Sequence, residues 1–237
     1  MTIPSPNTLV ADRKVAVLCR LLTEHLADHQ VDDVLVVGCG SGREAAHLAD
    51  FFSARSVGID LDDGFDQEAA ALADLRVMDA TALTFDDDSF DLVYSFHALE
   101  HIDAPDRALA EMRRVLRPGG WYCIGTPNRS RLVGYVGSPT SNVNKLRWNL
   151  QDYRMRLKGR FRNEFGAHAG FTSAELGSAC REAFGDATEI TEPYYRELYG
   201  QGRAGAALGL AGRARVDRFL FPCVYFVGRT DEAGGTA

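Results

Sequence analysis

The chain has 237 residues, 46% of them hydrophobic and 25% charged, with a formal net charge of −7. That length supports one large domain with a sizeable core, and the acidity argues against a general polyanion binder. Five scattered cysteines (Cys19, Cys39, Cys123, Cys180, Cys223) form no C-x-x-C pair, and no signal-like leader or membrane-length apolar run is present, so reduced thiols in the cytoplasm are expected and neither a disulfide framework nor a membrane partner is.

In chain order, residues 1–7 form a Pro/Ser/Asn-rich lead that is expected to be mobile. From Thr8 to His29 the spacing of Val15, Leu18, Leu22 and Leu26 predicts a helix. Val34-Leu35-Val36-Val37 predicts a buried parallel strand, followed by Gly38-Cys39-Gly40-Ser41-Gly42 and a helix carrying Ala45, Leu48, Ala49 and Phe52 on one face. Val57-Gly58-Ile59-Asp60 is a second strand ending in an acid. Strand, glycine turn, helix and strand with a terminal carboxylate make a βαβ nucleotide-binding unit. Arg43 stands where a dinucleotide fingerprint needs its third glycine, which disfavours a nicotinamide dehydrogenase.

Gln67 to Ala73 predicts a short helix and Leu75 to Met78 a third strand, ending at Asp79-Ala80. Asp86-Asp87-Asp88 reads as a solvated loop, since consecutive acids point in different directions. Phe90 to Ser95 predicts a fourth strand that runs into Phe96-His97-Ala98-Leu99-Glu100-His101. The last five of these also spell H-x-x-E-H, the inverted zinc-protease pattern. That chemistry needs a continuous helix, and Asp103-Ala104-Pro105 follows too soon for one, so no metal is expected. A helix from Asp106 to Arg117 is expected to stop at Pro118-Gly119-Gly120, with a fifth strand from Trp121 to Thr126.

Residues 129–165 hold nine Lys/Arg against Asp152 and Glu164, a local charge of +7 on an acidic chain. Two readings stand for this segment: a basic cap over a substrate pocket, or a solvated helix around Trp148 to Leu157. Thr172-Ser173-Ala174-Glu175 is a capping box ahead of a helix that buries Leu176, Cys180 and Ala183. Thr188 to Thr191 and Cys223 to Arg229 are the last predicted strands, with 200–213 a loop or loose helix and the tail beyond Arg229 disordered.

The G-x-G-x-G turn, the Leu99-Glu100-His101 segment and the Leu116-Arg117-Pro118-Gly119-Gly120 block ending in Thr126-Pro127-Asn128, in that order, resemble the class I S-adenosylmethionine (SAM) methyltransferases of small-molecule type. The resemblance covers roughly residues 32–130 with specific motifs and 165–229 more loosely. It implies a doubly wound α/β fold, with seven strands in a mostly parallel sheet, the last antiparallel, and helices on both faces. One domain is expected, its core at 30–130 and 165–230, with the insertion at 129–165 and mobile ends at 1–7 and 230–237. The cofactor implied is SAM, held at Gly38, Gly40 and Gly42, by Asp60 at the ribose with Leu61 beside it, by Asp79 and Ala80 at the adenine, and near Ser95 and Phe96. Asp79 also reads as a plain turn residue. In this family an acid precedes the first glycine by two residues; Val36 is there instead.

The resemblance further implies methyl transfer to a small-molecule acceptor, anionic if the basic insertion recruits it, with His168 and then His101 as candidate bases or pocket walls. The alternatives are a nucleic-acid methyltransferase, which the net charge disfavours, and a SAM-binding pseudoenzyme, which Val36 favours.

Overall fold

Strand β1 (Asp33–Val37) explains the architecture, because its residues are buried on both faces. Val34 and Val36 join one core and Leu35 and Val37 the other, so the unbroken apolar run is the signature of a strand covered on both sides. The computed structural model describes residues 13–26, 29–135, 140–165, 167–200 and 217–231. Seven strands form one sheet in the order β3-β2-β1-β4-β5-β7-β6. The others are β2 (Arg55–Asp60), β3 (Asp74–Val77), β4 (Phe90–Phe96), β5 (Leu116–Pro127), β6 (Thr188–Glu189) and β7 (Cys223–Arg229). β7 runs antiparallel to β5, and the first five strands pair in parallel, as expected.

One core lies beneath α1 (Arg13–Leu26), α2 (Arg43–Phe52) and, later in the chain, α7 (Thr191–Tyr199). The other lies beneath α4 (Pro105–Val115) and α6 (Ser173–Phe184). Helices α3 (Gln67–Ala70), α5 (Asn142–Leu157) and α8 (Asp217–Leu220) stand outside these two layers. Among the described residues no helix is long and apolar enough to cross a membrane.

Several boundaries differ from expectation. The helix expected to reach Arg117 stops at Val115, and Leu116 to Gly120 is strand, carrying a register shift opposite Phe90–Leu92. Sheet pairing wins here because Arg117 also bonds Asp91 at 2.6 Å and Asp33 at 2.8 Å, tying the segment to β4 and β1. Asp91 in turn accepts the Asp32 and Asp33 amides. The capping box formed as expected, Thr172 and Glu175 bonding each other's backbone amides. The strand expected at Thr188 to Thr191 lasts two residues, because Thr191 opens α7, a helix that no sequence signal announced. Thr230, placed in the disordered tail, is buried, its amide and hydroxyl bonded to the Gly120 and Arg117 carbonyls. The lead at 1–7, the loop from 201 to 213 and the tail from 232 lie outside the described residues.

Candidate active site

The sheet order reverses at β1, whose neighbours β2 and β4 lead to opposite halves of the sheet. A crevice outside the carboxyl ends of such strands is where α/β sheets bind ligands. Gly38 has φ +72°, and a Cβ there would sit 2.2 Å from that of Ala98, so this turn packs against the segment after β4. Gly40, at φ +52°, has nothing within 4 Å of a notional Cβ: it faces open space. Gly42 is the residue ahead of α2, whose first turn receives no side-chain cap.

At the end of β2, the Asp60 carboxylate accepts the Gly40 amide at 2.8 Å through one oxygen and the Asp62 amide at 3.2 Å through the other. Each oxygen keeps a lone pair for another donor. Leu61 beside it is an exposed apolar shelf. Asp79, beyond β3, spends one oxygen on the Thr81 amide and hydroxyl, which hold its carboxyl below the usual range, and among the described residues the other oxygen forms no bond. Ala80 follows it, packed at the edge of the second core. Ser95 is buried with its hydroxyl unpartnered, and Phe96 stacks on Tyr225 at 5.5 Å. An open glycine turn, two carboxylates with spare acceptor capacity and an apolar shelf are a donor and acceptor set that fits an adenosine-bearing cofactor.

Phe96, at the carboxyl end of β4, also lines a cavity of about 790 Å³. Its walls are aromatic (Tyr135, Trp148, Tyr194, Tyr195, Tyr199 and Tyr225), and three of its polar groups, His97, Glu100 and His101, follow β4. His97 is held at φ +56°, an uncommon conformation for a side-chain-bearing residue, with its amide on the Gly125 carbonyl. Its Nδ1 lies 3.4 Å from Oε1 of the buried Glu100, and its Nε2 lies 3.5 Å from the Cys223 thiol. Burial alone would lower the His97 pKa, but Cys223 and Glu100 beside it raise it to about 10. Burial likewise opposes ionisation of Cys223, and the His97 charge overrides it and lowers the thiol's pKa. The pair therefore favours thiolate and imidazolium.

Thiol reactivity should reflect this pairing. Burial pushes Cys19, Cys39 and Cys180 up to about 12, and Cys123 higher still. Iodoacetamide at neutral pH should label Cys223 first, and His97→Ala should slow that labelling roughly tenfold. Peptide mapping that finds the five thiols labelled alike, or no effect of His97→Ala, would contradict the pairing.

The two histidines expected as candidate bases come together: the His101 and His168 rings lie 4.8 Å apart, edge to face, on the cavity wall. His101 sits in a three-residue 3-10 turn, Leu99–His101, and its Nε2 is 3.9 Å from Glu100. H-x-x-E-H is therefore not on the continuous helix that zinc-protease chemistry uses. Burial first, and the His101 charge second, hold the His168 pKa below the usual value. His168 is thus neutral at pH 7 and able to accept a proton.

Helix α5 roofs the cavity with Trp148, Gln151, Asp152 and Met155. Its anchor is Arg131, 4% exposed, which donates to the carbonyls of Asn128, His168 and Ala169 and to Asp152. Arg129 and Arg156 are also tied to backbone carbonyls. Arg154, Arg156 and Arg160 do not line the cavity; its permanent cations are Lys14 and Arg131.

The sequence reading missed Glu100 and Cys223, and it weighed His97 only as a metal ligand. The missing signal is tertiary, since Cys223 is 126 positions from His97. Glu44, in the first turn of α2, adds its charge to burial in raising the Cys39 and Tyr94 pKa values.

Residues 35–124 match a family model described as a methyltransferase domain. A probable S-adenosylmethionine-dependent methyltransferase of Mycolicibacterium smegmatis is 37% identical over 100 residues, 41% of this chain and 38% of the relative. Tocopherol O-methyltransferase of Arabidopsis thaliana is 33% identical over 114 residues, 44% of this chain and 33% of the relative. Among solved structures, phosphoethanolamine N-methyltransferase 2 of Haemonchus contortus, with S-adenosylhomocysteine, superposes with a TM-score of 0.59 at 17% identity, covering 94% of this chain and 54% of that one. That likeness speaks to the fold, and the chain spans well under half the length of the two curated relatives.

Proposed function

We propose that this chain, whose residues 35–124 match a methyltransferase-domain model, is a class I SAM-dependent methyltransferase that transfers a methyl group to a small-molecule acceptor held in the cavity beneath α5. The observation that carries this reading is the His101–His168 pair on the wall of an aromatic cavity that Phe96, at the carboxyl end of β4, also lines. Asp60 and Leu61 would hold the ribose, Asp79 and Ala80 the adenine, and the Gly38–Gly42 turn the chain between, with Ser95 and Phe96 at the reacting end. SAM supplies a methyl on a sulfonium, already an excellent leaving group. The protein's work is therefore alignment and exclusion of water, for which the α5 roof and aromatic walls are suited.

An acceptor hydroxyl or ammonium must still lose a proton. His168 is neutral at pH 7 and can take it; His101 is the nearest second base. The walls favour a flat, largely apolar acceptor, in keeping with the tocopherol named for one relative. An anionic group on it would meet Lys14 or a charged His97 rather than the α5 cations.

The test is an acceptor screen with SAM, followed by His168→Ala and His101→Ala. His168→Ala should lower kcat by about a hundredfold while SAM affinity stays unchanged. A base works only deprotonated, so activity should fall as pH drops through its pKa. With His168 depressed, that acid limb should lie below the ordinary histidine value of about 6.5. An unchanged profile in His168→Ala would remove it as the base, and SAM binding without turnover on any acceptor would favour the pseudoenzyme.

A further inference from the structure

Helix α5 buries no residue, although it is 16 residues long and roofs the cavity. Its cavity side carries Trp148, Gln151 and Met155. Opposite them, Val143, Leu146, Leu150, Tyr153 and Leu157 recur at steps of three and four, which places them in one stripe along the helix. That stripe faces solvent: Val143, Leu146 and Leu157 are 76%, 72% and 89% exposed. The Tyr153 hydroxyl donates to the Leu132 carbonyl, so the loop bearing exposed Leu132 and Val133 lies alongside. An apolar stripe of this length on a helix otherwise rich in cations is not what a solvated helix looks like.

Charge decides what would cover it. Turning the helix by 100° per residue puts Arg147, Arg154 and Lys158 down one flank of the stripe. These three form no ion pair among the described residues. The helix's sole acid, Asp152, is on the other side, bonded to Arg131. A second copy of the same helix would bring these cations against their own kind. An anionic lipid surface would take both the apolar stripe and the charges.

We propose that α5 seats this face of the protein on an anionic lipid bilayer, lying in the interface with its stripe among the acyl chains and Arg147, Arg154 and Lys158 at the headgroups. This departs from the sequence expectation of no membrane partner: a peripheral helix needs no spanning segment. It also gives Arg147, Arg154 and Lys158 a task the cavity does not, because none of the three lines it. The roof of the cavity would then be the part in contact with lipid, suited to an acceptor that partitions into membranes.

The test is co-sedimentation of the full chain with phosphatidylcholine vesicles, with and without phosphatidylserine, at low and high salt. Binding should require phosphatidylserine and be released by salt. Leu146→Gln with Leu157→Gln should weaken it roughly tenfold, and Arg147→Gln with Arg154→Gln by a similar factor. All four positions are on the solvent side, so SAM binding by calorimetry should not move; this separates the docking face from the methyltransferase reading. Absence of binding to phosphatidylserine vesicles at low salt would overturn the proposal. So would binding that neither pair of substitutions weakens, or a dimer that the leucine changes dissolve without any vesicle binding.

Discussion

Replacing Asp60 by Ala should raise the SAM dissociation constant at least tenfold, a loss of about 1.5–3 kcal/mol for charge-assisted hydrogen bonds. The effect should exceed the loss of ligand contacts, because this carboxylate also holds the Gly40 amide at 2.8 Å. Without it the turn is tethered less firmly and presents the cofactor with a less ordered cradle. Asp60→Asn, which keeps an acceptor oxygen, should recover part of the affinity. Asp79→Ala should cost less, since one of its oxygens serves the local Thr81 turn. Titration calorimetry reads all three, and unchanged affinity in Asp60→Ala would remove this residue from the cofactor site.

Arg131→Met should destabilise the protein by about 3–5 kcal/mol, because removing one partner strands a buried charge and leaves several carbonyls without donors. Three carbonyls and Asp152 depend on this guanidinium, and Phe161 lies under it at 5.3 Å. Burial already holds the Asp152 carboxyl above its usual range against the pull of Arg131. With the arginine gone, Asp152 should take a proton or swing to solvent. For a domain of this size the melting temperature should drop on the order of 10 °C. The 167–170 segment that carries His168 should loosen with it, read as faster amide exchange there than in β1 or β4. A melting temperature within a degree or two of wild type would mean that Arg131 does not anchor the roof.

Much of the proposed cofactor half is local in the sequence. The Gly38–Gly42 turn, Asp60 and Asp79 lie within a run of about forty positions, and each is fixed by local geometry: a strand end, a tight turn, a helix start. Boundaries failed where pairing across the sheet overrode local breakers. Pro118-Gly119-Gly120 reads as the end of a helix, yet it lies inside β5, because Arg117 is bonded to Asp33 and Asp91 and the strand is paired on both edges. Helix α7 carries Pro193 and three tyrosines, a weak helical pattern, and it forms because Tyr194, Tyr195 and Leu198 pack into the core under β7.

By itself the sequence determined the βαβ unit, and through its family resemblance it pointed to the cofactor class and offered two histidines as candidate bases. Apolar periodicity, glycine spacing and caps are short-range quantities, and one chain displays them openly. Only the tertiary structure decided that His101 and His168 meet, that Glu100 and Cys223 flank His97, and which way the basic helix faces. Those depend on β7 returning beside β5 and on Arg131 drawing the 167–170 segment against α5. Composition alone records that nine cations lie in 129–165. It does not record that three anchor the roof while the α5 stripe, flanked by others, turns away from the cavity. Direction is a property of packing, and packing is settled by contacts between residues far apart in the chain.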